Sequence, residues 1–384
     1  MIALVNGRVF TIDGKLVPGT VLISGDVITA VGERIEVPKE AKLIDVSGKA
    51  VLPGLIDLHT HLTLFHDPTL LAAGGEGKVA LRAAFLAKQA LKAGITTMRD
   101  MGGYRHIDID LRNAIAMGFV PGPRLLCAGK VIATTGGHIY YVAREADGPD
   151  EVRKAAREQL KAGADFIKVM CSGGVERAGE SIDAVQLGID EIRAAVDVAA
   201  DNGTVVAAHA HPTRAMKEAL MAGVASIEHG TLVDEEVAEI MAEKKAFLVP
   251  TFSVYAAIAK SGLPELAKRA QWVFETKKKS FELAVRKGVP WGVGTDSGAF
   301  SPVSSIVDEL IMIHDAGIGV AEVLHRATAG NAELVRIKNT GTLEPGKRAD
   351  LIVVQGDPLN DLGVLRNVAI TICNGVVYDW STMP

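Results

Sequence analysis

Between residues 53 and 342 short apolar runs alternate with stretches of helical period, and this alternation narrows the possible folds more than any other feature of the chain. The apolar runs fall at 54–59, 95–100, 124–128, 165–170, 204–209, 224–229, 247–251 and 290–296, and the helical patterns include 76–93, 150–162, 189–202, 212–222, 233–244 and 264–288. Parallel strands buried on both faces appear as continuous apolar runs, each joined to the next by a crossing helix. Segments such as Lys161-Ala162-Gly163 and Met221-Ala222-Gly223 have the glycine that closes a helix. Eight such units predict an α/β fold, a (β/α)8 TIM barrel with its site at the C-terminal ends of the strands. A doubly wound open sheet would carry a glycine-rich phosphate loop, and no G-x-G-x-x-G or Walker sequence follows any of these runs.

Residues 1–52 consist of short β segments punctuated by Asn6-Gly7, Asp13-Gly14, Ser24-Gly25-Asp26 and Ser47-Gly48, pairs suited to hairpin turns. Alone they would leave open edges and half a core. The C-terminal runs 350–354, 368–373 and 376–378 supply partners, so 1–52 and 343–384 are predicted to form one small composite β-sandwich domain and 53–342 the barrel. A chain of 384 residues, 48% hydrophobic, can bury cores of that size. With 41 basic and 46 acidic residues and no clustered basic stripe, nucleic acid is not an expected partner. Cys127, Cys171 and Cys373 are odd in number and lack a C-x-x-C pair, which argues against a disulfide framework or thiolate metal site and for a cytoplasmic location. No run of eighteen apolar residues and no signal-peptide pattern occurs, so no membrane association is expected. The expected partners are a small-molecule substrate and further copies of the chain, as a homo-oligomer.

The first run ends in Pro53-Gly54-Leu55-Ile56-Asp57-Leu58-His59-Thr60-His61. In an extended backbone residues i and i+2 point to the same side, so His59 and His61 form a two-pronged metal grip. The plain alternative is a pair of surface or core histidines, and the rest of the chain decides between them. His209 and His211 close the fifth run, His229 the sixth, and Asp296 the eighth within Gly294-Thr295-Asp296-Ser297-Gly298. His138 follows the third run in Thr134-Thr135-Gly136-Gly137-His138. Lys168 sits inside the apolar fourth run, where an unpaired ammonium would cost several kcal/mol and a carbamate anion holding metal would not. Asp296 has helix capping as its alternative role. His66, His106, His314 and His325 lie in loops or helical patterns without a partner and are taken as structural.

The segments P-G-L-I-D-L-H-T-H, F-I-K-V-M, V-V-A-A-H-A-H, S-I-E-H-G-T, G-T-D-S-G and G-T-L-E-P-G-K-R-A-D-L-I-V-V together resemble the amidohydrolase superfamily over nearly the whole chain. T-T-M-R-D-M-G-G, T-G-G-H and I-K-V-M-C-S-G-G-V are similar to its branch of Xaa-Pro dipeptidase-like and imidazolonepropionase-related proteins. The resemblance implies two divalent metal ions, one held by His59, His61 and Asp296 and the other by His209 and His229, bridged by a carboxylated Lys168 and a hydroxide. It takes His209 rather than His211 as the ligand, leaving His138 and His211 as substrate and transition-state contacts with Tyr255 as a further candidate. Asp296 would shuttle the proton. Arg144 and Arg177 are candidate cations for a substrate carboxylate, or else solvated surface charges. Zinc is the default metal, with manganese, cobalt and iron compatible with the same ligand types. The activity implied is hydrolysis of a C–N amide bond in a dipeptide or N-acyl amino acid, prolidase- or carboxypeptidase-like. The alternatives are an imidazolonepropionase-like cyclic amide hydrolase or deaminase with one metal, and a non-catalytic binding protein. The chain departs from the branch in having Ile139-Tyr140-Tyr141 directly after His138, where a small residue is expected.

Overall fold

Apolar residues of the N-terminal segment build β1 (Ile2–Phe10), β2 (Leu16–Ser24), β3 (Val27–Gly32), β4 (Lys42–Asp45) and β5 (Lys49–Pro53). The computed structural model describes residues 1–65, 68–175, 177 and 179–382, without the side chains of 68 and 70–74; His66 lies outside the described residues. Asn6-Gly7 is not the hairpin turn that its sequence suggests. β1 runs straight through it with a bulge, pairing with β4 through Ile2–Val5 and with β5 through Arg8 and Val9. Asn6 takes a left-handed φ of 65°, and a Cβ on Gly7 would stand 2.8 Å from Val46 Cγ2, so the strand can change partner there only over a glycine.

Inside the chain, β6 (Leu55–Thr60), β7 (Ile95–Asp100) and β8 (Arg124–Cys127) form a three-stranded parallel sheet. β9 (Ile132–Ala133), β10 (Arg144–Glu145), β11 (Ile167–Met170), β12 (Val206–Ala210), β13 (Ser226–His229) and β14 (Phe247–Val249) form a six-stranded one in the order β10-β9-β11-β12-β13-β14. β6, β7, β11, β12, β13 and β14 are buried at every residue, which is why they lack the strict apolar–polar alternation of a half-exposed strand. Helices Pro149–Ala162, Ile189–Asp201, Thr213–Ala222, Glu235–Lys244 and Pro264–Arg286 lie where the periodicity puts them. Helix Pro68–Lys92 begins earlier than its pattern suggests and breaks at Gly75. No helix among the described residues is long and apolar enough to cross a membrane.

The eighth run, 290–296, is not a regular strand, and the two sheets do not close into the hydrogen-bonded barrel that the eight runs predict. Trp291 forms one bridge to Leu248 and Ser297 one to Thr60. Scattered bonds tie the segment to its neighbours, among them Leu58 N to Val293 O (3.0 Å) and Asp296 N to His59 O (2.7 Å). Side chains add further bonds. The Asn331 amide donates to Ile56 O (2.7 Å) and Val293 O (2.9 Å) and accepts from Val293 N (3.0 Å). The Asp57 carboxylate accepts from Thr295 N (3.0 Å) and Thr295 Oγ1 (2.7 Å). On the other side, β8 meets the start of β11 through Asp165 N to Cys127 O (2.8 Å).

β15 (Leu351–Gln355), β16 (Val368–Cys373) and β17 (Val376–Asp379) return to the N-terminal strands, giving one eight-stranded sheet in the order β17-β16-β15-β5-β1-β2-β3, with β4 on β1. The sheet folds over, so that Leu4, Val21 and Ile28 from its start share a buried core with Leu351, Val353 and Ile372 from its end.

Candidate metal centre

At the C-terminal end of β6, His59 and His61 emerge on one side and face Asp296, whose Oδ1 lies 3.6 Å from His59 Nε2 and 3.5 Å from His61 Nε2. The three donors stand within 4.8 Å of one another. Each ring is oriented through its other nitrogen: His59 Nδ1 donates to Glu228 Oε2 (2.8 Å) and His61 Nδ1 to Gly102 O (2.7 Å). Neither acceptor has a proton to give, so both rings are protonated at Nδ1 and turn the Nε2 lone pair toward Asp296.

Across the cavity His209, His211 and His229 form a second trio of donors within 4.8 Å of one another. His229 Nδ1 is paired with Thr251 Oγ1 (2.8 Å), His211 Nδ1 with Thr231 Oγ1 (2.7 Å), and His209 Nε2 donates to Gly173 O (3.2 Å). The rings of His59 and His229, 5.0 Å apart, join the two clusters. Burial first, and then neighbouring positive charge, holds all five imidazoles well below the usual histidine range, His61 at about 3. Five neutral imidazoles in one place are five lone pairs, the form in which histidine binds a metal.

Lys168, on β11, lines the same cavity. It is entirely buried, and among the described residues its Nζ has no hydrogen-bond partner. Burial pushes its pKa down to about 8, although Glu228 and Asp296 draw it upward. Glu228 carries the opposite charge beneath it. Its Oε1 accepts from Arg99 (2.8 Å) and Ser226 Oγ (2.5 Å), and although burial works against ionisation, Arg99 and His59 hold the carboxyl well below its ordinary range. Arg99 itself lies between the rings of Phe166 and Phe247 and donates to Leu58 O (2.6 Å).

Backbone strain collects at the same place. His229, Thr251 and Asp296 take left-handed φ values of 73°, 52° and 56°. For residues with a Cβ such values cost about 1 kcal/mol or more each and are found where surrounding contacts hold a functional geometry.

His59, His61, Lys168, His209, His229 and Asp296 line one cavity, partly open to solvent, and share its wall with His138, Leu64, Ile139, Met170, Val254 and Phe300. His138 stacks on His209 with centroids 4.3 Å apart; its Nδ1 donates to Glu180 Oε1 (3.0 Å) and its main-chain N–H to Gln186 Oε1 (2.9 Å). Ile139 and Tyr141, the bulky residues after His138, line the cavity as well.

Other sequence candidates fall elsewhere. His211, although one of the second trio of donors, and Tyr255, both expected to touch substrate, are not in the cavity's lining, with His211 Nε2 3.4 Å from the Tyr255 hydroxyl and the Lys277 ammonium 3.7 Å from the Tyr255 ring centre. Arg144 is also displaced from its expected role: Glu158 and Glu151 hold its guanidinium at 2.8 Å each, on helix Pro149–Ala162. Arg177 stands at the rim, exposed, 5.0 Å over the Tyr140 ring and 3.9 Å from Glu180. His106 is paired with Gln159 and His314 with Ile318 O, as structural histidines are. Sequence reasoning passed over Glu228, Asp57 and Glu180. The first two are acidic residues inside buried strands, the same anomaly that singles out Lys168, whereas Glu180 lies in a loop with no pattern around it.

Residues 50–378 match the family described as "Amidohydrolase family". The chain is 30% identical over 400 residues to ochratoxinase of Aspergillus niger, across 92% of this chain and 82% of that protein. A solved structure of a prolidase complexed with N-methylphosphonate-L-proline is similar at a TM-score of 0.91 and 34% identity, covering 98% of this chain and 99% of that one. A Xaa-Pro dipeptidase solved with methionine bound in its active site is similar at 0.90 and 32%, with 98% and 99% covered. With a matched segment that takes in His59, His61, Lys168, His209, His229 and Asp296, the chain belongs to the amidohydrolase family and is a hydrolase of carbon–nitrogen bonds.

Proposed function

We propose that this enzyme is a binuclear metal-dependent amidohydrolase that cleaves the amide bond of a dipeptide or an N-acyl amino acid. The observation that carries the reading is Lys168 Nζ, buried without a hydrogen-bond partner among the described residues in the wall that also holds His59, His61, His209, His229 and Asp296. The family is generally metal-dependent, and these donors fit. His59, His61 and Asp296 would hold one cation, His209 and His229 the other, and a carboxylated Lys168 both. The neutral amine that burial favours forms an N–C bond with carbon dioxide and releases one proton, replacing an unpaired ammonium by an anionic ligand. Zinc suits imidazole and carboxylate donors, as do manganese, cobalt and iron. When bound, the cations supply a water acidified toward neutral pH and a Lewis acid for the amide carbonyl.

The chain's own groups do the rest. The Asp296 carboxylate takes a proton from the attacking water and delivers it to the leaving nitrogen, so one group serves as base and then acid. His138 faces the carbonyl oxygen. With Nδ1–H committed to Glu180, Nε2 of the resting ring carries the lone pair, and it donates to the substrate oxygen only once it has taken up a proton, the charge then being offset by the Glu180 carboxylate. Leu64, Ile139, Met170, Val254 and Phe300 receive the apolar flank of the substrate and keep water from the reacting bond. Arg177, at the rim, meets the terminal carboxylate. The names of the similar structures, a prolidase and a Xaa-Pro dipeptidase, support this substrate class. The reading is framed in a (β/α)8 barrel of residues 53–342 with a composite β-sandwich of 1–52 and 343–384.

A dipeptide and N-acyl amino acid library, offered to zinc-reconstituted enzyme and scored by amino acid release, tests the substrate class; release from none of its members refutes it. Lys168→Ala is expected to lose most bound metal and nearly all turnover, and full retention of both would refute the carbamate.

A further inference from the structure

We propose that Glu180 is a positioning residue that fixes the tautomer and orientation of His138, a role that rests on His138 being the substrate contact described above. His138 lines the cavity and Glu180 does not. The carboxylate lies behind the ring, its side chain only 5% exposed, with Oε1 3.0 Å from His138 Nδ1. Among the described residues three constraints converge on this imidazole. Its face is covered by His209, nearly parallel at 26°, its main-chain N–H is held by Gln186, and its Nδ1 edge is held by Glu180. Stacking alone leaves a ring able to turn over by 180° about its Cβ–Cγ bond, exchanging the positions of Nδ1 and the carbon opposite it. A carboxylate at one edge removes that freedom, because only a ring nitrogen bearing hydrogen satisfies it.

The carboxylate is itself delivered from an anchored backbone. Arg269, on helix Pro264–Arg286, donates to Gly174 O (3.1 Å), Arg177 O (3.0 Å) and Glu180 O. Ser172 bridges to Val185, and Gly173 N donates to Ala184 O (3.0 Å), which closes the base of the same loop. The competing role for Glu180 is a rim ion pair with Arg177, but that separation is 3.9 Å and the arginine is largely solvated, whereas the histidine contact is shorter and buried.

The test uses the full zinc-loaded chain and the variants Glu180→Ala, Glu180→Gln, His138→Ala and the Glu180→Ala/His138→Ala double variant, with metal content and thermal midpoint measured for each. Glu180→Ala is expected to lower kcat about 10-fold or more while KM stays within about 3-fold, and Glu180→Gln, whose amide oxygen still accepts from Nδ1, to recover most of that loss. In the His138→Ala background the same Glu180→Ala change is expected to cost less than about 2-fold, since a residue acting through His138 has nothing left to act on. Long-range 15N–1H spectra of histidine-labelled protein, with the His138 signal identified by its loss in His138→Ala, provide a readout independent of any substrate. They are expected to show the Nδ1–H tautomer in the unsubstituted chain and in Glu180→Gln, and a mixture in Glu180→Ala. An unchanged tautomer in Glu180→Ala, or losses that add in the double variant, would overturn the proposal. A tautomer shift in a protein that hydrolyses no substrate would uphold the positioning and remove the hydrolytic reading instead.

Discussion

Replacing Glu228 by Gln is the most direct test of the charge network under the site. The substitution keeps volume and leaves no cavity, so its effect is electrostatic. Three buried donors claim the side chain, Arg99 and Ser226 Oγ at Oε1 and His59 Nδ1 at Oε2. A carboxylate satisfies both edges, but an amide offers one oxygen and one NH2, so either Arg99 faces another donor or His59 must give up its Nδ1–H. Arg99, enclosed by Phe166 and Phe247, then lacks its countercharge. Breaking a buried pair on one side costs about 3–5 kcal/mol. At about 2.1 cal/mol/K per residue, 384 residues give an unfolding entropy of roughly 0.8 kcal/mol/K, so the thermal midpoint should fall by about 4–6 °C. Differential scanning fluorimetry at fixed metal and protein concentration measures the shift. Because the folded chain holds Glu228 below its ordinary pKa, its contribution is complete above about pH 4.3 and is lost as the pH falls further, so the gap between the two proteins should be level at pH 5–8 and narrow below pH 4. Adding Arg99→Met to Glu228→Met should restore most of the stability lost by Glu228→Met alone, since the uncompensated charge is gone. A midpoint shift under about 1 °C, or a double variant no more stable than Glu228→Met, would refute the reasoning.

His138→Asn should bind metal as before and lose about 100-fold in kcat, read from metal analysis and steady-state kinetics together. Asn331→Leu should destabilise the chain by about 2–4 kcal/mol in urea titration, because Ile56 O and Val293 N lose the amide that links them. Burial raises the Asp57 carboxyl to about 6, so its stabilisation is complete below about pH 4 and is lost as the pH rises through 6. A thermal-midpoint series across pH 4–7 should therefore show a downward step that is missing in Asp57→Asn. Arg177→Met should raise KM for a substrate with a free carboxylate more than it lowers kcat, and an unchanged KM would remove Arg177 from recognition.

The identity of the donors was legible because strand geometry is local. His59 and His61 lie on one side of β6 for the same reason that any i and i+2 residues of a strand do, and no tertiary knowledge is needed to place them together. Lys168 stood out by a second local rule, since an ammonium in an apolar run demands a partner. The same rule applied to Glu228 and Asp57 would have found them as well. Arg144 and Tyr255 mark where such reasoning ends: each lies near the right strand end in sequence, but the direction of a side chain beyond a strand depends on what it packs against. Glutamates of helix Pro149–Ala162 claim the first, and His211 and Lys277 enclose the second.

The amino-acid order by itself determined where most of the strands and helices lie and which of their ends carry imidazole, amine and carboxylate, because backbone periodicity and burial cost act over a few residues. Only the tertiary structure decided that the eighth run is fastened by Asn331 and Asp57 rather than by a ladder, that Glu228 turns His59 toward Asp296, and that Glu180 stands behind His138. These pairs join residues 38 to 275 positions apart. Partners at such separations are chosen by packing in three dimensions, which leaves no periodic trace along the chain.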